Sequence, residues 1–469
     1  MKSTPSDSLV EAWTSLSGLE QKTAIFDAGG NALRTFFEIE EEARDFETGL
    51  LSKVQPGGVI AIQVGNHAAW PALLLAALRL RLVAVPLEQG MAARERKAAL
   101  QTCCAAAIVE TAGEARAIDG RVKLRRISHD PVNWGSNPPS LLKLTSGTTA
   151  APRAIRFRSG QLYADCIQIC ETMGITANDL NFGVIPLSHS YGFSNLVTPL
   201  LTRGIPMVLS RDNMPRALLC DLARTNATVF PGMPVFFQAI SEIENVPALP
   251  RLRLCISAGA PMPLEVARKF REKFNKPVHS FYGSSECGGI CFDRDAPLVE
   301  QGFVGQPMQG VELEPLEPKA QSTRIRIRSA AVGDGYFPDS DEEKLGSGRF
   351  VPDDLLNVTR DGLSIVGRVS DVINVAGKKV NPADVEVELL RFAGVRAAVV
   401  FGRESVLRNQ EVAACIVAAG DVRESDLLEH CRARLSGWQV PKRIFFVKEI
   451  PVNERGKVNR RELASQFPS

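Results

Sequence analysis

Apolar and polar positions follow two periods along this chain. Residues 34–51 place Phe36, Phe37, Ile39, Ala43, Phe46 and Leu50 among many acids, a spacing that predicts an amphipathic surface helix. Residues 59–64 form an unbroken apolar run of strand length and predict a buried strand. The stretch 69–87 is apolar enough to suggest a membrane span, but Arg79 and Arg81 lie inside it and Pro71 and Pro86 frame it. It therefore predicts a core helix followed by a strand at 82–86. A further strand is predicted at 105–109, and this alternation of strand and helix argues for a parallel or mixed sheet covered by helices.

Farther along, short apolar runs at 181–186, 228–230, 252–257 and 279–282 predict strands that end in LSHSYGF, PG, AGAP and GSSECGG. Ligands of open α/β sheets collect at the carboxyl ends of strands, so these Gly-, Ser- and Pro-rich loops are expected to face one crevice. After Gln309 the texture becomes β-rich, with RIRIR at 324–328, a turn-rich insert at 333–348 and a strand at 363–368. A boundary near Ser370 is expected. Beyond it, helices at 382–392 and 424–435 and strands at 397–401, 412–418 and 443–447 predict a small α+β domain. The expected division is thus 1–369 and 370–469.

Composition narrows the function. A chain of 469 residues with 45% hydrophobic content exceeds one core and can bury two. With 55 basic and 53 acidic residues, net +2, nothing in the bulk charge favours nucleic acid or an anionic membrane, and a small molecule is the expected partner. The ten cysteines form no CxxC pattern and the Met1 end carries no apparent secretory signal, so reduced thiols in a cytoplasm are expected. Cys287 and Cys291 lack a matching His/Cys pair for zinc and are expected to serve packing.

The stretch at 144–155, LTSGTTAAPRAI, is the most concentrated chemistry. Thr145, Ser146, Thr148 and Thr149 crowd around Gly147, with a cation following at Arg153. Such a segment can turn backbone N–H groups and hydroxyls inward to accept phosphate oxygens. Apolar runs at 141–144 and 154–157 predict a loop between two strands, which differs from the strand-to-helix setting of a Walker loop. Taken alone, SGTT is equally an ordinary Ser/Thr-rich turn.

Taken in order, these loops resemble the ANL superfamily of adenylate-forming enzymes: acyl- and aryl-CoA synthetases, peptide-synthetase adenylation domains and beetle luciferases. The run at 144–155 resembles their TSGTTGxPKG loop, AGAP their adenine-contacting strand end, and FYGSSE their YGxTE segment. FVPDD resembles the segment ending TGD, GRVSDVINVAGKKVNPADVE the hinge region, and PVNERGKVNR the C-terminal PxTxxGKxxR loop. The motifs keep family order over nearly the whole chain. The resemblance implies an α/β, multidomain α+β fold: a large N-terminal AMP-binding domain of layered αβ sheets with a β-rich subdomain, and a small mobile C-terminal lid. It also implies a reaction in two halves. A carboxylate attacks the α-phosphate of ATP, giving acyl-adenylate and pyrophosphate, and a thiol then displaces AMP.

The resemblance assigns roles by position. Thr145, Ser146, Gly147, Thr148 and Thr149 would cradle phosphates, and Arg153 stands where a Lys is usual, keeping the charge with a planar fork. Glu286 would reach Mg²⁺, Ser285 the α-phosphate, and Tyr282 the adenine, with Gly259, Ala260, Pro261 and Gly283 also at the nucleotide. Asp354 would accept from the ribose hydroxyls and Arg368 close over them, although the adjacent Asp353 competes for the assignment. His189 would gate the acyl pocket, Gly377 would let pantetheine pass, Ser370 would be the hinge, and Lys457 would be the adenylation lysine. Ala150 replaces a usual glycine, and Ser370 stands where Asp or Lys is usual. The apolar set Phe193, Phe230, Met233, Phe236, Phe237, Gly288 and Ile290, with no Asp placed for an α-amino group, favours a fatty acyl or aryl acid. CoA is the expected acceptor. Loading of an acyl carrier protein, or an inactive nucleotide-binding relative acting as a partner protein, stand as alternatives.

Overall fold

The computed structural model describes residues 7–113, 117–127, 132–145, 153–210, 214–296, 300, 302–320, 322–375, 378–405, 409–452 and 458–467. The chain divides into two compact units. The first comprises Met1–Glu314, Arg326–Val351 and Arg360–Leu363, and the second Pro315–Ile325, Pro352–Thr359 and Ser364–Ser469.

In the first unit a seven-stranded sheet runs in the order Gly335–Phe337, Ala154–Phe157, Leu141–Leu144, Val83–Pro86, Val59–Gln63, Ala105–Thr111 and Val122–Arg126. Val59–Gln63 is buried at every position and pairs in parallel with both neighbours, the pattern of a strand covered on both faces. The apolar stretch beside it is the helix Trp70–Arg79, buried from Trp70 to Leu78. Its one charge is accommodated at the end, where the Arg79 guanidinium meets Glu40 at 2.7 Å and Glu47 at 2.9 Å. Among the described residues no helix is long and apolar enough to cross a membrane.

The helix expected over 34–51 starts later, at Phe36–Asp45, and continues as a π-helical turn, Phe46–Leu50. The reason is a capping box: the Thr35 hydroxyl accepts from the Glu38 N–H while the Glu38 carboxylate accepts from the Thr35 N–H. Arg34 consequently lies in the strand Ala32–Thr35 and reaches Glu42 and Asp119.

A second sheet holds the strands whose loops matter. Thr23–Asp27, Met207–Leu209, Asn181–Gly183, Val229–Gly232, Leu254–Ser257 and Val278–Ser284 lie side by side in parallel. The segments LSHSYGF, PG, AGAP and GSSE therefore all leave the same edge. The strand expected at 181–186 is only Asn181–Gly183, because the carbonyls of Gly183 and Ile185 turn to the Asn66 carboxamide at 3.2 and 3.4 Å. Asn66 Oδ1 accepts from the Leu187 N–H at 2.9 Å, so this one side chain ties the first sheet to the loop that carries His189.

In the second unit Lys378–Val380, Ile373–Val375, Asn409–Ala418 and Val395–Ser405 form a sheet, with Arg443–Phe446 parallel to Asn409–Ala418. Val385 and Leu389 of the helix Pro382–Leu390 pack with Leu427 and Cys431 of the helix Glu424–Arg434 over one core. Leu463 of the helix Arg460–Gln466 packs with Phe401 and Cys415 in another.

Candidate active site

Leu141–Leu144 and Ala154–Phe157 are antiparallel neighbours, with Lys143 opposite Ile155 and Leu144 opposite Ala154. The ladder continues one step into the loop, where the Thr145 N–H donates to the Arg153 carbonyl at 2.8 Å and the Thr145 hydroxyl donates to it at 3.1 Å. This closes the neck of the Ser/Thr-rich loop. Ser146, Gly147, Thr148, Thr149 and Ala150 lie outside the described residues. At the far side of the neck the Arg153 guanidinium lies 4.2 Å from the centroid of the Tyr336 ring and donates to the Asp339 carbonyl at 2.8 Å.

Val278–Ser284 and Gly288–Phe292 form a hairpin whose turn presents Ser285 and Glu286. Gly283 is needed there, since a Cβ would stand 2.8 Å from the Gly288 carbonyl oxygen. The Glu286 carbonyl accepts from the Gly333 N–H at 2.9 Å, and its carboxylate Oε1 accepts from the Tyr336 hydroxyl at 3.1 Å. Burial pushes the Glu286 pKa up, opposed by hydrogen bonds including that of Tyr336 and by the charge of Lys344. Among the described residues no three His, Cys, Asp or Glu side chains cluster as a metal cage. A single desolvated carboxylate suits Mg²⁺, which takes few protein oxygens and completes its shell with phosphate and water.

The hairpin turn touches the LSHSYGF segment directly, through Ser190 Oγ and Ser285 Oγ at 2.9 Å. His189 precedes a short helix, Ser190–Gly192, and its Nδ1 accepts from the Tyr191 N–H at 3.2 Å, which orients the ring. Deeper down, Asp165 accepts from the Gly289 N–H at 2.9 Å and from the Ser194 hydroxyl at 2.6 Å, fastening both segments to the helix Ser159–Met173. Tyr282 is buried in its strand, whereas Gly259, Ala260 and Pro261 form an exposed turn, with Gly259 at φ +89°. Cys287 and Cys291 are buried.

The apolar candidates for the acid pocket divide in two. Phe230 packs on Phe182 and Phe237, and Phe237 on Phe270, all within the core, while Phe193 meets the edge of Trp70. Ile290 is fully buried. Met233, Phe236 and Gly288 are half-buried and retain exposed surface.

In the second unit the two adjacent acids differ in setting. Asp354 is buried and its Oδ1 accepts from Arg368 Nε at 2.7 Å, whereas Asp353 is exposed and uses its carbonyl to accept from the Val369 N–H. Ser370 falls in a 3-10 turn, Val369–Asp371. Gly377 and Lys457 lie outside the described residues. Next to the lysine loop, Arg460 donates to Asp371, Glu386 and the Val400 carbonyl at 2.8, 2.8 and 2.9 Å.

Sequence reading assigned no role to Tyr336, Asp165, Arg460 or Lys143. Tyr336 is one of only four tyrosines in the chain and sits in the turn-rich insert, a signal that was available. Lys143, a lone cation in an apolar strand, is buried with its ammonium 4.6 Å from the Phe157 ring centroid and 5.5 Å from that of Phe193, and burial lowers its pKa. Asp165 carries no local pattern, whereas Arg460 is the last residue of the PVNERGKVNR segment.

The AMP-binding enzyme family matches residues 13–337, and the AMP-binding enzyme C-terminal domain matches residues 384–457. A feruloyl-CoA synthase of Amycolatopsis sp. is 27% identical over 469 aligned residues, covering 94% of this chain and 95% of the relative. A 3,4-dihydroxybenzoate–[aryl-carrier protein] ligase of Bacillus anthracis is 28% identical, covering 71% of this chain and 76% of the relative. In fold, the chain is similar to ATP-bound MatB from Rhodopseudomonas palustris, with TM-score 0.86, 22% identity and 98% of each chain covered.

Proposed function

Because the chain belongs to the AMP-binding enzyme family, within the ANL superfamily of adenylate-forming enzymes, we propose that it activates a carboxylic acid with ATP and passes the acyl group to coenzyme A. It is an acid–thiol ligase. The observation that carries the reading is the meeting of three segments: Ser285 bonds Ser190 beside His189, and Glu286 shares Tyr336 with the cation of the Ser/Thr-rich loop.

In the first half-reaction the acid's carboxylate oxygen attacks the α-phosphorus of ATP and the bond to pyrophosphate breaks. Phosphoryl transfer needs positioning and charge compensation more than covalent help. Arg153 and the Thr145–Thr149 hydroxyls hold the outgoing phosphates, Ser285 the α-phosphate, and Tyr282 with the Gly259–Pro261 turn the adenine. Asp354 accepts from the ribose hydroxyls, and Arg368, already fixed to it at 2.7 Å, covers the sugar. Glu286 would hold Mg²⁺, which neutralises phosphate charge. In the second half-reaction the thiol sulfur attacks the acyl carbon, AMP leaves and the thiol proton is lost. His189 gates the acyl pocket, Gly377 leaves room for pantetheine, and residues 370–469 turn about Ser370. A cytoplasmic setting fits this chemistry.

An aryl or fatty acyl acid suits the half-buried Met233, Phe236 and Gly288, and the feruloyl-CoA synthase likeness favours the aryl class. Loading of a carrier protein is the second reading, favoured by the aryl-carrier protein ligase among the relatives. ATP–pyrophosphate exchange over a panel of aryl and fatty acids tests the reading: AMP and pyrophosphate are expected, and ADP with inorganic phosphate would refute it. CoA and a phosphopantetheinylated carrier protein, offered separately, distinguish the acceptors. Gly377→Leu should leave exchange near wild type and suppress thioester formation by at least about tenfold, since about 1.4 kcal/mol of steric cost already gives that factor. Equal loss of both half-reactions would mean that position 377 supports folding.

A further inference from the structure

Tyr336 is 5% exposed and lies on Gly335–Phe337, an edge strand of the seven-stranded sheet antiparallel to Ala154–Phe157, with Tyr336 opposite Ile155. Two opposite charges meet this one side chain by different parts. Its hydroxyl donates to Glu286 at 3.1 Å, and its ring face receives the Arg153 guanidinium at 4.2 Å. Arg153 and Glu286 make no ion pair with each other among the described residues; each meets the tyrosine instead. The strand is itself well anchored. Gly333 N–H donates to the Glu286 carbonyl, Asp334 N–H donates to the Arg156 carbonyl, and the Asp334 carboxylate accepts two bonds from Arg158 at 2.8 Å. Burial and the neighbouring carboxylate push the Tyr336 phenol well above its ordinary pKa, so it remains a donor at neutral pH.

An arginine and a glutamate placed close together without a spacer form a bidentate ion pair that occupies the donors of one and the oxygens of the other. In a nucleotide site that pairing competes with phosphate for the arginine and with metal for the carboxylate. A cation held on a ring face keeps its in-plane N–H groups available. We propose that Tyr336 is a positioning residue that holds Arg153 and Glu286 apart and aimed, so that both remain available to the phosphates and the divalent cation of a bound nucleotide. This rests on the adenylation reading above and extends it to a residue that the motif resemblance does not reach.

The test uses the full chain and calorimetric titration with ATP, in excess Mg²⁺ and in EDTA, so no acid need be known. Tyr336→Phe keeps the ring under Arg153 but frees the carboxylate. Its affinity for Mg·ATP should fall about tenfold, in line with loss of one hydrogen bond to a charged group, with ATP affinity in EDTA unchanged. Tyr336→Leu removes both supports and should lose affinity in both conditions. In a cycle with Glu286→Gln, Tyr336→Phe should add almost nothing to the loss of Mg·ATP affinity, since the hydroxyl acts on the metal only through the Glu286 charge that the other change removes. Wild-type Mg·ATP affinity in Tyr336→Phe, equal losses with and without Mg²⁺, or additive effects in the cycle would overturn the positioning role. Failure of the wild-type protein to bind Mg·ATP at all would instead overturn the adenylation reading and this inference with it. Because Tyr336→Phe removes a single hydroxyl, the test survives even where Tyr336→Leu fails to fold.

Discussion

Glu286→Gln is expected to lower ATP–pyrophosphate exchange by at least about 100-fold at ordinary Mg²⁺, the upper end of what even the outer partners of a metal ligand are worth. The substitution keeps volume and leaves an acceptor for the Tyr336 hydroxyl, but removes the charge that a hard divalent ion requires. Thermal stability should change little. Burial disfavours the ionised Glu286 carboxylate, and a neutral amide carries no such cost, so the midpoint should stay within about 2 °C of wild type or rise slightly. Exchange assayed across Mg²⁺ concentrations, beside thermal unfolding of both proteins, separates the two roles. Normal exchange at ordinary Mg²⁺ would remove Glu286 from the metal site. Loss of activity together with a large fall in midpoint would assign it to holding the Gly333–Phe337 segment in place.

How much of this site was legible depends on where each residue's partners lie. The Thr145 to Arg153 loop could be read as a junction of two strands because apolar runs of strand length stand on both sides, and the two runs do pair, Leu144 opposite Ala154. The four Gly-rich strand ends were legible for the same local reason, and their parallel pairing brings them to one edge. Element starts were less so. Thr35 and Glu38 moved a helix start by two residues through a reciprocal pair of hydrogen bonds, and the Asn66 carboxamide, 117 positions from Gly183 in sequence, shortened the strand at Asn181. Asp165 was invisible in sequence because its partners, Ser194 and Gly289, lie 29 and 124 positions away. The pocket aromatics were legible by type only: Phe230 and Phe237 pack on each other and on Phe182 and Phe270, contacts that their sequence positions do not announce. Apolar type alone does not separate a lining residue from a core one, whereas a buried acid such as Asp354 requires a partner, here Arg368.

Lys457→Ala should reduce acyl-adenylate formation by about 10² to 10³, the typical worth of one fixed donor aimed at developing charge. Lys457 follows Gly456 in the segment that resembles the adenylation-lysine loop. An ammonium brought to the site by the small domain could bridge the attacking carboxylate and the α-phosphate. Arg460, three residues beyond Lys457, is bound to Asp371, to Glu386 and to the Val400 carbonyl, which ties the start of its helix to the sheet and helix of its own unit. If the small domain turns about Ser370 as proposed, Lys457 would be withdrawn and the Gly377 region presented for the thiol. The same variant should therefore still convert supplied acyl-adenylate and thiol to thioester at close to the wild-type rate. Single-turnover measurement of both half-reactions on Lys457→Ala tests residue and rotation together. Comparable defects in the two, or none in either, would remove Lys457 from the reacting groups and with it the use of two domain orientations. A defect confined to the first half-reaction would leave rotation of the small domain as the step that separates adenylation from thioester formation.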